Sequence, residues 1–232
     1  AIRVPTSGEV FGNFITIAPN FGLTAEQSNN LNVGLFYQHN FSKARFVSFQ
    51  MDWFLREQTD LIRLDVPRNP NAPAVFINEA KVEASGIEAA LKATPVNNLN
   101  IDVSFTYQDI INADEGSTDF EAPIPNIPTL FYNLGMRYRF KSPLNAKDEI
   151  ALFGYYNHVQ EFSLIFEGGI RVDENFIPTQ NVVDAGLSYQ LSDTGFTFSL
   201  QANNVTNSEL FDNYRIPRPG RNYRLKIRYL LR

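Results

Sequence analysis

The side chains with the widest chemical range in this 232-residue sequence are its two histidines, His39 and His158. Haem or metal capture is one interpretation, but a lone histidine is not a metal site and is usually a polar surface group. His158 with Ser163 suggests a hydrolytic pair, yet no motif around them would expose a catalytic serine. Cysteine is absent, which excludes thiol catalysis and cysteine-based metal sites. We therefore predict no catalytic residue, no metal site, no cofactor and no enzymatic activity.

A second chemical group consists of carboxylates in polar, proline-containing stretches. They would either help to bind a cation or stand as solvated loop charges, and solvation explains them equally well. The carboxylates between residues 114 and 121 lack the spacing of an EF-hand calcium loop. The group comprises Asp60, Asp65, Asp114, Glu115, Asp119, Glu121, Asp173 and Glu174.

Apolar and polar residues alternate with a period of two along much of the chain, and this alternation predicts the β-strands that position these side chains. In the last segment, Leu225 and Ile227 alternate with Arg224, Lys226 and Arg228. This period is typical of a β-strand with one apolar and one polar face. Several segments reach ten residues, which is long for a soluble sheet and sufficient to cross a bilayer. Nine segments qualify: 31–41, 45–56, 79–93, 99–108, 130–139, 149–158, 183–191, 196–203 and 222–231.

Two of these segments are irregular. Within residues 79–93 the alternation changes phase near Ser85 and Gly86, which predicts a β-bulge. Within residues 149–158 the aromatic residues Phe153, Tyr155 and Tyr156 fall on both faces, so the sequence does not decide which face is apolar.

The links between the nine segments alternate in length along the whole chain. Outer-membrane barrels have this pattern because their periplasmic turns are short and their extracellular loops are long. We therefore predict that the chain ends in the periplasm and that the long loops lie outside the cell. Short links centre on 42–43, 96–97, 141–147 and 192–194, and long links on 59–78, 110–126, 160–180 and 205–219.

Composition agrees with a membrane barrel and excludes other classes. A mean hydropathy of -0.23 without a long apolar run excludes a transmembrane helix, but not a barrel in which every second residue is apolar. The net charge of -5 comes from interspersed charges and argues against a nucleic-acid partner. Five tyrosines near predicted strand ends indicate an aromatic girdle at the lipid boundary. These are Tyr107, Tyr138, Tyr189, Tyr223 and Tyr229.

The polar faces of such strands line the barrel lumen. Five cations are predicted to face it, namely Arg137, Arg139, Arg224, Lys226 and Arg228. They would attract an anionic substrate, contact a domain inside the barrel, or simply be tolerated in a wet lumen.

Several stretches resemble the late strands of TonB-dependent receptors, in particular those of the Bacteroidetes type. Residues 3–12 are similar to the family's R-x-P-[ST]…E-[LF]-[FY]-G segment, and 23–30 to its L-x-P-E-x-S-x-N signature, with alanine in place of proline. Residues 86–88 fit its G-[VI]-E. Residues 202–214 resemble the segment before the last strand, and 219–221 match the P-G-R that opens that strand. The chain departs from the family by ending in Y-L-L-R instead of a terminal Phe or Trp.

The resemblance implies an all-β fold, an antiparallel transmembrane β-barrel of about 22 strands filled by a plug domain. Nine strands would be the last part of it, so residues 1–232 are expected to be the C-terminal part of one barrel domain in a longer polypeptide. Residues 1–28 would form an outer loop segment that leads into the first full strand. The plug domain and its energy-coupling box are absent from these residues.

The resemblance also implies an outer-membrane receptor that actively imports a scarce, bulky nutrient such as a ferric siderophore. Expected partners are the lipid bilayer, the upstream plug of the same polypeptide, a TonB-type energy-coupling protein and a surface lipoprotein, with no nucleic acid. Aromatic loop residues suit capture of a bulky ligand, and the predicted contacts are Phe76, Phe120, Phe166 and Phe176. The alternatives are a barrel that acts as a scaffold for a surface lipoprotein or secretion complex, and a soluble secreted β-sandwich.

Overall fold

A computed structural model describes residues 1–13, 15–67, 69, 72–165, 172–212 and 215–231, except the Ala80 side chain. The described chain is almost entirely β-structure, and the nine predicted strands are all present. The long strands are β3 (Glu26–Ser42), β4 (Arg45–Asp65), β5 (Ala74–Ala93), β6 (Leu99–Asn112), β7 (Leu130–Lys141), β8 (Glu149–Val159), β11 (Gln180–Gln190), β12 (Phe196–Asn203) and β13 (Asn222–Tyr229). The short elements are β1 (Ile2–Arg3), helix α1 (Ser7–Phe11), β2 (Ile17–Ala18), β9 (Phe162–Ser163), a 3₁₀ turn (Asp173–Asn175) and β10 (Phe176–Ile177).

The long strands form one sheet in which each is antiparallel to the next, in the order β3-β4-β5-β6-β7-β8-β11-β12-β13. β1 pairs with the start of β3, β2 pairs in parallel with β5, and β9 and β10 form a separate hairpin. Over the described residues the sheet does not close on itself. No helix within that described part is both long and apolar enough to cross a membrane.

The predicted alternation of link lengths is confirmed, with one correction. The link predicted at 59–78 is much shorter, because β4 continues to Asp65 and β5 starts at Ala74. Both strands therefore extend well beyond bilayer length. We name the two ends of the sheet the long-loop end and the short-turn end.

One face of the sheet carries a continuous apolar band. Residues paired directly across antiparallel strands share a face, and one row runs Val33, Trp53, Ile87, Tyr107 and Leu130 across five strands. On β4 the band covers nine residues, 47–55, which is the length needed to cross a bilayer. We call this the lipid face and the opposite side the lumen face.

The lipid face changes from apolar to polar towards the long-loop end of β4, β5 and β6. Directly above Leu55 the same face of β4 carries Glu57, which pairs with Glu83 on β5, and Lys81 lies within 3.3 Å of both carboxylates. On β6 the charge on this face is Asp109, which pairs with Ser85 and therefore lies one row lower, on the row of Leu55. A charge facing hydrocarbon is costly, so we expect the strands to leave the membrane at these charges.

Above that level the apolar residues move to the other face. Val82 is fully buried and Ala84, Ile62 and Leu64 are nearly so. This inversion explains the phase change in residues 79–93 and corrects the predicted bulge near Ser85 and Gly86, since β4 and β5 stay in one register from Val47 to Asp65. The sheet instead has an irregularity between Asn40 and Ser42.

Candidate functional site

The lumen face near the short-turn end carries two columns of cations. Arg137, Arg139 and Lys141 project from β7, and Arg224, Lys226 and Arg228 project from β13. The pairing register puts the two columns level with each other. The row that starts at Arg139 passes through Ala151, Ser188 and Ser199 and ends at Lys226.

Four strand spacings separate the columns, which places them about 19 Å apart at the backbone. The floor between them consists of small or neutral polar side chains. Together they form a trough of about 380 Å³ whose lining includes Arg137, Arg139, Glu149, Ser188, Ser199, Lys226 and Arg228. We call this the cationic trough.

The trough has little internal charge compensation. Glu149, which pairs with Lys141, is its one lining carboxylate. No ion pair to any cation of the two columns occurs among the described residues. Arg137 lies over the Phe153 ring, 5.0 Å from its centroid. The five cations predicted to face the lumen therefore lie together on one wall, with exposed side chains.

Glycines on the lumen face leave space for aromatic side chains that project from the paired position of the neighbouring strand. Gly86 pairs directly with Phe54, and Gly186 pairs with Phe153. A Cβ atom on Gly86 would lie 2.4 Å from the Tyr107 carbonyl oxygen and 2.6 Å from Phe54 Cζ. Only glycine leaves space for the aromatic ring, because the neighbouring backbone cannot retreat.

A larger cavity of about 600 Å³ opens on the lumen face at the long-loop end. Its apolar wall combines Phe131 on β7, Phe162 on the short hairpin and Phe211 in the last long loop. Gln180, almost buried, accepts a hydrogen bond from the Phe211 backbone N–H at 2.9 Å and fixes the loop. The polar residues Asp212 and Arg218 also line the cavity. We call it the vestibule cavity.

The aromatic residues predicted to capture ligand occupy separate places. Phe76 lies on β5 opposite Leu64, Phe176 lies on β10 opposite Ser163, and Phe120 is exposed in the loop after β6. None of these three lines the vestibule cavity. Phe166 lies outside the described residues.

The acidic loop residues take structural roles where contacts are defined. Asp65 pairs with Arg63, which also donates to Glu79 at 2.7 Å. Buried Asn112 donates to Glu79 and accepts from the backbone N–H of Asp114. Glu115, Glu174 and Phe120 are exposed. The described residues hold no cluster of three or more acidic or histidine side chains that could bind a metal.

Both histidines project from the lipid face near strand ends. The ring of His39 meets the Phe41 ring edge-on at 4.6 Å. His158 stacks on Tyr132 at 4.7 Å and hydrogen-bonds Asn181. The five predicted girdle tyrosines share this face, at the two ends of the apolar band. This arrangement is typical of an aromatic boundary with lipid.

The first segment of the chain is fixed at the long-loop end by an ionic cluster. Arg3 bonds both Glu9 and Glu26, and Glu26 also accepts from the Ile62 backbone N–H. Thr6 caps helix α1 in a capping box with Glu9. The segments 3–12 and 23–30 resemble two separate family signatures, and the Arg3 guanidinium joins them by binding both Glu9 and Glu26.

This ionic cluster lies above the apolar band, and hydrogen bonding lowers the pKa of its two carboxyl groups. Burial raises the pKa of Glu9, but hydrogen bonds from the Thr6 backbone and from Arg3 outweigh it, so the pKa lies below its ordinary value. Burial likewise raises the pKa of Glu26, and bonds from Arg3 and the Ile62 backbone outweigh it and lower the pKa. Both carboxylates are therefore charged at neutral pH.

Comparison with known proteins agrees with this architecture. A family described as "TonB dependent receptor-like, beta-barrel" matches residues 1–205. An iron-regulated outer membrane virulence protein of Vibrio cholerae serotype O1 is 25% identical over 237 residues, which cover 97% of this chain and 33% of that protein. The chain thus spans about a third of the length of the curated relatives it matches.

Solved structures share the fold. The copper transporter OprC has a TM-score of 0.70 at 16% identity, covering 99% of this chain and 36% of that one. BauA, the ferric preacinetobactin receptor of Acinetobacter baumannii, has a TM-score of 0.66 at 18% identity, covering 98% of this chain and 32% of that one. At these identities the likeness concerns the fold.

Proposed function

This chain belongs to the TonB-dependent receptor β-barrel family, and from that premise we propose that it supplies the last strands and outer loops of a receptor for TonB-dependent uptake of a bulky nutrient, such as a ferric siderophore. The family and its relatives place the chain in the bacterial outer membrane, and it is not an enzyme. The vestibule cavity is the observation that supports capture of a ligand on this wall.

The orientation proposed for the receptor follows from the sorting of long loops and short turns to opposite ends of the sheet. The long-loop end, with its extended strands and vestibule cavity, would face outward, and the short-turn end would face the periplasm. Residues 1–28 would then belong to the outer loops, and the whole chain to the C-terminal part of one barrel domain.

The proposed partners come from the family and from the structures that share its fold. The remainder of the polypeptide would carry a plug domain, and a TonB-type protein would transmit energy to it. Relatives and neighbours include an iron-regulated protein, a ferric preacinetobactin receptor and a copper transporter, which supports a metal complex as the ligand class. A Bacteroidetes source and a surface lipoprotein partner rest on the sequence resemblance alone.

The proposed ligand contacts are the vestibule aromatics. Phe131 and Phe211 would meet an apolar part of the ligand, while Phe76, Phe120 and Phe176 stay predicted contacts elsewhere on the loops. The test is uptake of radioactive iron by iron-starved cells that express the intact protein. The double variant Phe131→Ala/Phe211→Ala should lower uptake at limiting iron chelate, whereas Phe41→Ala, an exposed residue at the short-turn end, should not.

Energy dependence separates this function from a passive pore or a scaffold. We expect uptake to stop when the proton-motive force is collapsed or when the TonB-type protein is deleted. Uptake that persists under both conditions would contradict active transport.

A further inference from the structure

One row of residues on the lumen face forms a wall of the vestibule cavity. Phe131 on β7 pairs with Val159 on β8, and Val159 pairs with Gln180, the first residue of β11. Two strand spacings therefore separate Phe131 from Gln180, which is about 10 Å at the backbone. All three residues line the cavity. This wall is fixed in place, because each of its residues belongs to a paired strand.

The last long loop supplies a second wall of the same cavity. Phe211 forms a bridge with Pro217, and the Arg218 backbone N–H donates to the Leu210 carbonyl oxygen at 2.8 Å. Leu210 is buried, and Leu210, Phe211 and Arg218 all line the cavity. The loop thus has internal structure of its own, and the shape of the cavity depends on where the loop lies relative to the sheet.

The side chain of Gln180 joins this loop to the sheet. Its Oε1 atom accepts a hydrogen bond from the Phe211 backbone N–H at 2.9 Å, and the residue is nearly buried. A buried amide donor that loses its acceptor costs more than the bond itself contributes. The bond therefore determines where Phe211 lies with respect to Phe131 across the cavity.

The short β9–β10 hairpin gives the loop a second attachment. Ile177 is fully buried beside Phe162, and Phe211 packs against this apolar cluster. The Ser163 carbonyl oxygen accepts from the Asn126 backbone N–H at 2.6 Å, which ties the hairpin to the loop after β6. The hairpin is thus held independently of the last long loop, and the loop packs on it. All of these contacts lie within this chain, so they do not require the rest of the barrel.

We propose that Gln180 is a positioning residue of the vestibule cavity, which holds the last long loop on the sheet so that this loop and the β9–β10 hairpin move as one body. The inference rests on the proposed function, in which this cavity captures the ligand. Gln180 acts through Phe211, whose ring it keeps opposite Phe131. A ligand that displaces Phe211 would therefore also act on the hairpin.

The first test is hydrogen exchange of the intact purified protein in detergent, followed by mass spectrometry. Gln180→Met removes the acceptor at nearly constant side-chain volume, and residues 205–212 should then exchange about fivefold faster, as expected when one net hydrogen bond is lost. Gln180→Glu keeps an acceptor oxygen at the same reach and should restore slow exchange. The control Gln108→Met breaks a different side-chain bond, to the Pro128 carbonyl oxygen, and should leave residues 205–212 unchanged.

A second pair of variants tests whether the loop and the hairpin form one body. Ile177→Ala removes the centre of the shared apolar cluster and should accelerate exchange both in the hairpin and in residues 205–212. Ile62→Ala makes the same change at a nearly buried site on β4 and should accelerate neither. Acceleration confined to the hairpin would show that the last long loop moves separately and would overturn the inference.

Uptake of radioactive iron by iron-starved cells separates positioning from a purely structural role. A displaced Phe211 should weaken capture of the iron chelate without affecting later steps. Gln180→Met should therefore raise the half-saturating chelate concentration several-fold at an unchanged maximal rate, measured at equal protein level in the membrane. Gln180→Glu should return the half-saturating concentration towards that of the unaltered protein.

Two further outcomes would overturn the inference. Unchanged exchange of residues 205–212 in Gln180→Met would mean that the bond to Phe211 does not hold the loop. Faster exchange with an unaltered half-saturating concentration would mean that the loop does not position the ligand. Failure of the proposed function is distinguishable from both, because uptake that survives loss of the proton-motive force leaves the exchange results as they are.

Discussion

The Arg3 guanidinium forms a two-pronged ion pair with the Glu26 carboxylate, Nε to Oε1 at 2.6 Å and Nη2 to Oε2 at 2.9 Å. A third nitrogen, Nη1, donates to Glu9 at 3.0 Å. The planar fork of arginine matches a carboxylate in this geometry. The pair connects the start of the chain to the outer end of the first long strand, where no apolar band is present to hold it.

The first prediction is that this connection weakens in acid. Because the pKa values of Glu9 and Glu26 are lowered in the folded protein, their stabilising contribution is complete above the ordinary pKa of 4.5 and is lost as pH falls below it through the lowered values. Hydrogen exchange of residues 1–13, corrected for the intrinsic pH dependence, should therefore accelerate as the pH falls below the ordinary carboxyl pKa of 4.5.

The matched variant is Arg3→Gln, which removes the cation but keeps a polar side chain. It should show fast exchange of residues 1–13 already at neutral pH, with little further change in acid. If the unaltered protein and Arg3→Gln exchange alike at pH 7, the ion pair does not hold this segment.

The second prediction concerns Gly86. Alanine there would place its Cβ 2.4 Å from the Tyr107 carbonyl oxygen and 2.6 Å from Phe54 Cζ, so Gly86→Ala should destabilise the barrel by about 1–3 kcal/mol. The control is Gly154→Ala on the lipid face, where the nearest atom would be 3.6 Å away. Urea unfolding in lipid vesicles measures both. If Gly86→Ala and Gly154→Ala have equal urea unfolding midpoints, Phe54 moves aside at no cost in stability.

Much of this fold could be predicted from the alternation of residues, because every second side chain must meet lipid. The strand set and the sorting of links by length follow from that requirement. The predicted bulge near Ser85 and Gly86 is wrong, because β4 and β5 keep one register there. The strand is regular, and its surroundings change from hydrocarbon to water, so Val82 is buried and Glu83 is exposed.

The candidate sites were less accessible to sequence reasoning. The five lumen cations followed from strand parity, but their alignment into rows required the register that pairs Arg139 with Ala151 and Ser199 with Lys226. Register depends on turn lengths and on neighbours distant in sequence. The sequence did not predict the vestibule aromatics. Phe131 belongs to a strand, and Phe211 comes close to it only because the last long loop folds back over the sheet.

The third prediction assigns the two faces of the last strand. Ile227 lies in the apolar band and is more than half exposed, whereas Lys226 faces the lumen. Ile227→Arg should cost about 2–4 kcal/mol if the residue lies near the midplane, because lipid cannot solvate the charge. Lys226→Ala should cost much less. Urea unfolding in vesicles decides, and similar costs at both positions would mean that the faces are exchanged.

The fourth prediction tests the orientation in the membrane. The long loops lie at one end of the sheet and the short turns at the other, and we propose that the long-loop end lies outside the cell. Cysteine introduced at the exposed loop residues Glu115 and Glu174 should react on intact cells with an impermeant maleimide. Cysteine at the short-turn residues Lys43 and Asn97 should react only after the outer membrane is broken, because short turns face the periplasm. The sequence has no native cysteine, so this part of the chain contributes no background. Labelling of the turns but not the loops would reverse the orientation, and labelling of a mixture from both sets would rule out a barrel with sorted ends.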